Sequence, residues 1–243
     1  MHRKGGIDSA DRLIIALDVD SEDKAMRLVE KLKGRVKFFK VGLELFSSCG
    51  PAIIDRIKEA GCGVFLDLKF HDIPNTVSKA AVSVTRLGVF MLNIHALGGY
   101  EMIRKTVIAV SEEARKKKLN KPKILAVTIL TSMDGFELNK IGISDNIEKE
   151  VLKLARLSKA AGADGVVASP QETALIRKEC GKDFIIVTPG VRPEGAGPGD
   201  QKRFATPRGA ITGGADFIVV GRPIIEAPDP LEAARKVLEE IES

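Results

Sequence analysis

The stretch Gly63 to Thr76, GVFLDLKFHDIPNT, carries the densest set of residues able to do chemistry. Val64 to Phe70 reads as a strand, rich in aliphatic and aromatic residues and punctuated by Gly61, Gly63 and Pro74. Side chains alternate along a strand, so Asp67 and Lys69 share one face while Leu68 and Phe70 share the other. If the strand belongs to a parallel sheet, both faces are covered, and a carboxylate and an ammonium are buried side by side near its C-terminal end. Burying charge is costly unless each ion is paired and hydrogen-bonded, so two here imply a use. Asp72 adds a third charge just past the strand. Lys40, between Phe39 and Val41 in a second apolar run, needs a buried partner, for which Asp67 is available.

The elements that must position these groups repeat. Leu13 to Val19 is an apolar run, and Ser21 to Gly34 follows with Ala25, Leu28, Val29 and Leu32 at helical spacing. Strand then helix recurs as Phe38 to Gly42 with Pro51 to Gly61, Val64 to Phe70 with Asn75 to Gly88, and Met91 to Ala96 with Gly99 to Leu119. It continues as Ile124 to Leu130 with Ile147 to Gly162, Gly165 to Ser169 with Gln171 to Gly181, Phe184 to Gly190 with Thr206 to Gly214, and Phe217 to Val220 with Pro230 to Ile241. Eight such units, most helices closed by glycine, predict parallel strands joined by right-handed crossovers. The expected fold is α/β, a single (β/α)8 TIM barrel spanning residues 1–243, with 1–12 a polar N-terminal arm and the active site at the C-terminal ends of the strands. An open doubly wound sheet would place a glycine-rich dinucleotide fingerprint after its first strand, where this chain reads DVDSED.

Composition agrees. The chain has 243 residues, 44% hydrophobic and 29% charged, enough to bury a large core. The net charge of +5 is spread over helices rather than clustered, and one tyrosine with no tryptophan leaves few stacking surfaces, so nucleic acid is not the expected partner. Cys49, Cys62 and Cys180 form neither a paired framework nor a zinc spacing. No run approaches the roughly 18 apolar residues of a membrane span, and the polar start lacks a signal-peptide core, so a cytoplasmic protein is expected.

At the strand ends polar residues gather: Asp18, Lys40, Asp67 and Lys69, Thr131 and Ser132, Arg192, then Gly221 and Arg222. Some have plainer readings. Asp18 and Asp20 could cap the helix after them, and Asp72 or Asn75 could cap the helix that Pro74 opens. His71 and His95 receive no role. The segment Gly190 to Pro207, GVRPEGAGPGDQKRFATP, reads as a lid, and VVGRP just beyond it offers a glycine and an arginine suited to phosphate. Together they predict a phosphorylated substrate under a closing loop.

From Leu13 to Glu226 the chain resembles the orotidine 5'-phosphate decarboxylase family. LIIALDV, FFKVG, DLKFHDIPNT, LTSMD, TPGVRP with the downstream Gln201, and VGRPI occur in that family's order. The resemblance implies decarboxylation of a nucleoside monophosphate, orotidine 5'-phosphate, to uridine 5'-phosphate in pyrimidine biosynthesis, with neither metal nor cofactor. It implies a charge array of Lys40, Asp67, Lys69 and Asp72, with Lys69 as proton donor. It also implies a homodimer with shared active sites, in which Asp72, Ile73 and Thr76 reach the partner's site. Asp18 and Lys40 would hold the ribose, Thr131 and Ser132 face the pyrimidine, and Arg192, Gln201, Gly221 and Arg222 meet the phosphate. Two alternatives stand beside it: a magnesium-dependent sugar-phosphate decarboxylase or synthase of the same superfamily, and a non-catalytic phosphate-binding barrel.

Overall fold

In a computed structural model the protein is described over residues 9–144, 146–193 and 205–242. Eight parallel strands, β1 (Leu13–Ala16), β2 (Phe38–Gly42), β3 (Gly63–Phe70), β4 (Met91–His95), β5 (Lys123–Val127), β6 (Gly165–Val167), β7 (Ile185–Thr188) and β8 (Phe217–Val220), close in sequence order into a barrel. Helices lie between successive strands, from Glu22–Leu32 after β1 to Pro230–Glu242 after β8. Every strand-helix unit anticipated from the sequence is present, with ends shifted by a few residues.

Strand alternation divides the core in two. Leu13, Ile15, Val64, Leu66, Leu92 and Ile94 point outward into the layer shared with the helices, while Ile14, Ala16, Phe38, Phe65, Met91, Leu125, Val187 and Val219 fill the barrel. The interior is plugged by aromatic rings: Phe38 stacks on Phe90 at 4.2 Å, and both meet Phe217 edge-on at 6.2 Å. That plug closes the N-terminal half of the barrel and leaves the C-terminal half free to hold a site.

Short helices outside the eight-unit pattern include Leu43–Cys49 after β2, Gly135–Lys140 after β5 and Arg222–Ile225 after β8. Each stands on the C-terminal side of its strand, where a barrel carries its variable loops. They are too short for a helical period to separate them from loop in the sequence. The polar arm is also not wholly an arm. Ser9–Arg12 is a helical turn tied down by Ser9 to Glu242 at 2.6 Å and by Lys37 to Asp11 at 3.1 Å.

Gly165 fixes how closely β6 approaches β7. A Cβ built on it would lie 2.1 Å from the Ile185 carbonyl oxygen, a backbone atom that cannot swing aside. Gly165→Ala is therefore expected to destabilise the protein by about 2 kcal/mol, the scale of overpacking in a closed core. The shift in urea midpoint at unchanged slope measures it.

Candidate active site

The inward-facing positions that fill the barrel lead, two residues further along each strand, to the polar groups. Ala16 is followed by Asp18, Phe38 by Lys40, Phe65 by Asp67 and Val219 by Gly221. These groups line a cavity of about 360 Å³ at the C-terminal mouth, together with Lys69, Thr131, Ser132, Arg192 and Arg222. That volume lies within the range of small-molecule sites.

Four of the charges form a row of alternating sign. The Lys40 Nζ lies 3.0 Å from Asp18 Oδ1 and 3.3 Å from Asp67 Oδ2, and the Lys69 Nζ lies 2.7 Å from Asp67 Oδ1. Lys40 and Asp67 are each only 8% exposed. Burial works against the Lys40 charge, but Asp67 and Asp18 outweigh it and hold the ammonium above the usual lysine range. Burial likewise opposes ionisation of Asp67. Lys40 and Lys69, with hydrogen bonds from Lys69 and Asn93, outweigh it and hold the carboxyl below the usual carboxylate range. Gly42 makes room for the row, since a Cβ there would sit 2.9 Å from the Lys40 Nζ.

Asp18 thus joins the array instead of capping a helix. The next helix starts after Ser21 without a side-chain cap, and Asp20 pairs with Lys24 at 2.9 Å.

β3 departs from the regular alternation expected of it. Its register with β4 pairs Leu66 with Leu92 and then Phe70 with Ile94, so residues 67–69 stand opposite Asn93 alone. Lys69 takes up the extra length with φ of 50°, a left-handed conformation uncommon for a residue with a side chain. Because two extra residues are inserted, parity survives, and Lys69 still meets Asp67. Asn93, 1% exposed, accepts the Lys69 N–H at 2.8 Å and donates to Asp67 Oδ1 at 2.6 Å. Sequence reasoning passed over it, although MLNIH carries the signal that marked Lys40, a polar residue at an inward position of an apolar strand.

Just past β7, the Arg192 backbone N–H donates to the Ala205 carbonyl at 2.9 Å, and the buried Arg192 Nε has no hydrogen-bond partner among the described residues. Gly221 stands against Asp18, whose Oδ2 would be 3.3 Å from an added Cβ. Gln201 and most of the segment Gly190 to Pro207, expected to be a lid, lie outside the described residues.

Asp72, Ile73 and Thr76 are not brought to this cavity. All three are exposed, Asp72 and Ile73 (65%) on the turn after β3 and Thr76 in the first turn of the helix Pro74–Arg86. Asp72 does not cap that helix, which begins after Ile73 without a side-chain cap; its carboxylate accepts the Ile73 N–H at 2.6 Å. His71 and His95 stack with centroids 5.1 Å apart. Burial, reinforced by the neighbouring His71 ring and the Lys69 ammonium, pushes His95 down to about 4, so it is neutral at pH 7. Among the described residues no cluster of three His, Cys, Asp or Glu side chains suits a metal ion.

Residues 11–237 match the description of the orotidine 5'-phosphate decarboxylase / HUMPS family. The chain belongs to that family. It is 52% identical over 230 residues to the orotidine 5'-phosphate decarboxylase of Geotalea uraniireducens, covering 95% of each chain. It is 51% identical over 231 residues to that of Geobacter sulfurreducens, covering 95% of this chain and 96% of the relative. A crystal structure of orotidine 5'-phosphate decarboxylase from Lactobacillus acidophilus superimposes with a TM-score of 0.84 at 38% identity, over 96% of this chain and 100% of that one. The family membership agrees with the resemblance carried by DLKFHDIPNT and VGRPI.

The burial of Lys40 and Asp67 sets an expectation for stability. Asp67→Ala leaves two ammoniums facing each other and should cost about 3 kcal/mol, whereas Lys40→Met combined with Asp67→Leu should recover at least half of that, because an apolar pair needs no solvation. Denaturant titration of the two variants beside the parent protein measures the difference.

Proposed function

We propose that this protein decarboxylates orotidine 5'-phosphate to uridine 5'-phosphate and carbon dioxide in de novo pyrimidine synthesis. The observation that carries the reading is the Asp18, Lys40, Asp67, Lys69 row set in the mouth of a barrel of this family. The names of the half-identical relatives support it.

The chemistry follows from the charges. Breaking the bond between C6 and the carboxylate leaves the electron pair on C6, poorly delocalised, and a proton must then be delivered to that carbon. Lys69 is the donor in this reading, an ammonium on the cavity wall held by Asp67 at 2.7 Å. An ammonium about 4 Å from a unit negative charge contributes on the order of 4 kcal/mol at an effective dielectric of 20. Enzymes lower barriers by roughly 8 to 23 kcal/mol, so Lys69 is one contributor among several. The remainder is assigned to preorganised dipoles, exclusion of water and binding of the remote phosphate, which is drawn on at the transition state. Asp67, close to the substrate carboxylate, would oppose that charge in the ground state and lose the opposition as carbon dioxide leaves. Asp18 and Lys40 hold the ribose hydroxyls, Thr131 and Ser132 face the pyrimidine, and Gly221, Arg222, Arg192 and Gln201 receive the phosphate.

The working unit in this reading is a homodimer. Leu43, Ile73, Leu97 and Tyr100 are all exposed and follow the adjacent strands β2, β3 and β4, giving one sector of the rim an apolar surface. In this reading Asp72, in the same sector, adds the fourth charge to a second copy's site, with Ile73 and Thr76 beside it. We further read residues 1–243 as one domain and place the protein in the cytoplasm, a reading supported by free thiols at Cys49, Cys62 and Cys180.

The first test is ultraviolet absorbance of orotidine 5'-phosphate incubated with the purified protein and a chelator. Conversion to uridine 5'-phosphate is expected; a folded protein giving none overturns the reading and points to a sugar-phosphate substrate with magnesium. Lys69→Ala should lose nearly all turnover while its melting transition survives, and substantial residual activity would remove Lys69 as donor. For the shared site, mixing inactive Asp72→Asn and Lys69→Ala dimers should restore activity through hybrids with one intact site. Subunit exchange without rescue would return Asp72 to a local role.

A further inference from the structure

The three-against-one register of β3 on β4 leaves a structural problem that Asn93 alone resolves. Once residues 67–69 bulge away from β4, the Lys69 N–H is drawn off the ladder, and its φ of 50° holds the chain in a region that side-chain-bearing residues avoid. An N–H that has left the ladder in this partly buried setting needs another acceptor. Asn93 Oδ1 supplies it at 2.8 Å, and the same amide donates from Nδ2 to Asp67 Oδ1 at 2.6 Å. The oxygen that Asn93 grips is the one that receives the Lys69 ammonium at 2.7 Å. One planar group thereby fixes both ends of the Lys69 residue, its backbone directly and its ammonium through Asp67. Asn93 is 1% exposed and does not itself line the cavity.

We propose that Asn93 is a positioning residue for proton delivery: it selects the left-handed turn at Lys69 and sets the plane of the Asp67 carboxylate, so that the ammonium is aimed into the cavity before substrate arrives. The inference rests on the decarboxylase reading for its kinetic part and on geometry alone for its structural part. No other side chain of this size meets both demands. A leucine would leave the Lys69 N–H and the Asp67 oxygen without this partner, and an aspartate would still accept from Lys69 but would set a second carboxylate against Asp67.

The test compares the full-length parent protein with Asn93→Ala and the isosteric Asn93→Asp, by steady-state kinetics on orotidine 5'-phosphate and by crystallography. Both variants should lose about 100-fold in kcat, the scale of a misplaced reacting group, with KM little changed, since the loss falls on the transition state. For Asn93→Asp the deficit relative to the parent should shrink as pH falls from 8 to 5, because a protonated carboxyl at 93 regains a donor towards Asp67. A purely structural role would not give that dependence. In the crystal structure of Asn93→Ala, Lys69 should leave the left-handed region and its Nζ should separate from Asp67. Unchanged kcat in both variants, a pH-independent deficit in Asn93→Asp, or a Lys69 that keeps its positive φ in Asn93→Ala would overturn the proposal. If Asn93→Ala does not fold, Asn93→Asp carries the decision through its pH profile and through the Lys69 Nζ to Asp67 separation in its own crystal structure. If the parent shows no turnover, the decarboxylase reading fails by itself, and the crystal structures still decide whether Asn93 sets the turn.

Discussion

The buried Lys40 and Asp67 pair is the constraint from which the rest of the site follows. Two ions this far from water are stable only with fixed partners, so each must be reached by at least one more group. Asp18 answers for Lys40, and Lys69 and Asn93 answer for Asp67. The strands that deliver these groups, β1 to β4, are consecutive around the barrel, so satisfying the pair and closing the sheet are one requirement. The glycine at 42 belongs to the same account, because any side chain there would meet the Lys40 ammonium.

The arrangement also separates stability from use. An apolar pair in place of Lys40 and Asp67 would suit the barrel, whose inward positions are otherwise Ile14, Phe38, Phe65 and Met91. The chain instead holds opposed charges at fixed distances, which an electrostatic catalyst requires and a folded barrel does not. His95 marks the contrast: titratable and partly buried, it lies beside the row, yet its surroundings keep it neutral at pH 7 and it contributes no charge.

Much of this was legible in the sequence. The eight-unit repeat announced the barrel, and polar residues interrupting apolar strands announced Asp18, Lys40, Asp67 and Lys69, because strand parity alone decides which side chains face inward. Less legible were features that depend on register between strands. Regular alternation placed Lys69 beside Asp67 correctly but for an incomplete reason, since the bulge inserts two residues and so preserves parity while reversing the sign of φ. Asn93 was missed because its importance lies in what stands opposite it, which one strand's pattern does not encode. The short helices at Leu43–Cys49 and Gly135–Lys140 carry too few turns to register as a period. Asp72 was read as a fourth charge offered to a partner's site; within one chain it is exposed, and one strand's pattern does not encode what stands across an interface.

The packed rings of Phe38, Phe90 and Phe217 bear on traffic through the molecule. A barrel plugged in its lower half has a single mouth, so a molecule seated above Ala16 departs along the route by which it came. For a reaction that makes one small gas molecule and one large anion in the same chamber, the order of departure is then set at the rim. Carbon dioxide must leave through the same mouth that the nucleotide occupies. Because the plug closes the floor, both products share that one mouth, and neither can leave by a route of its own.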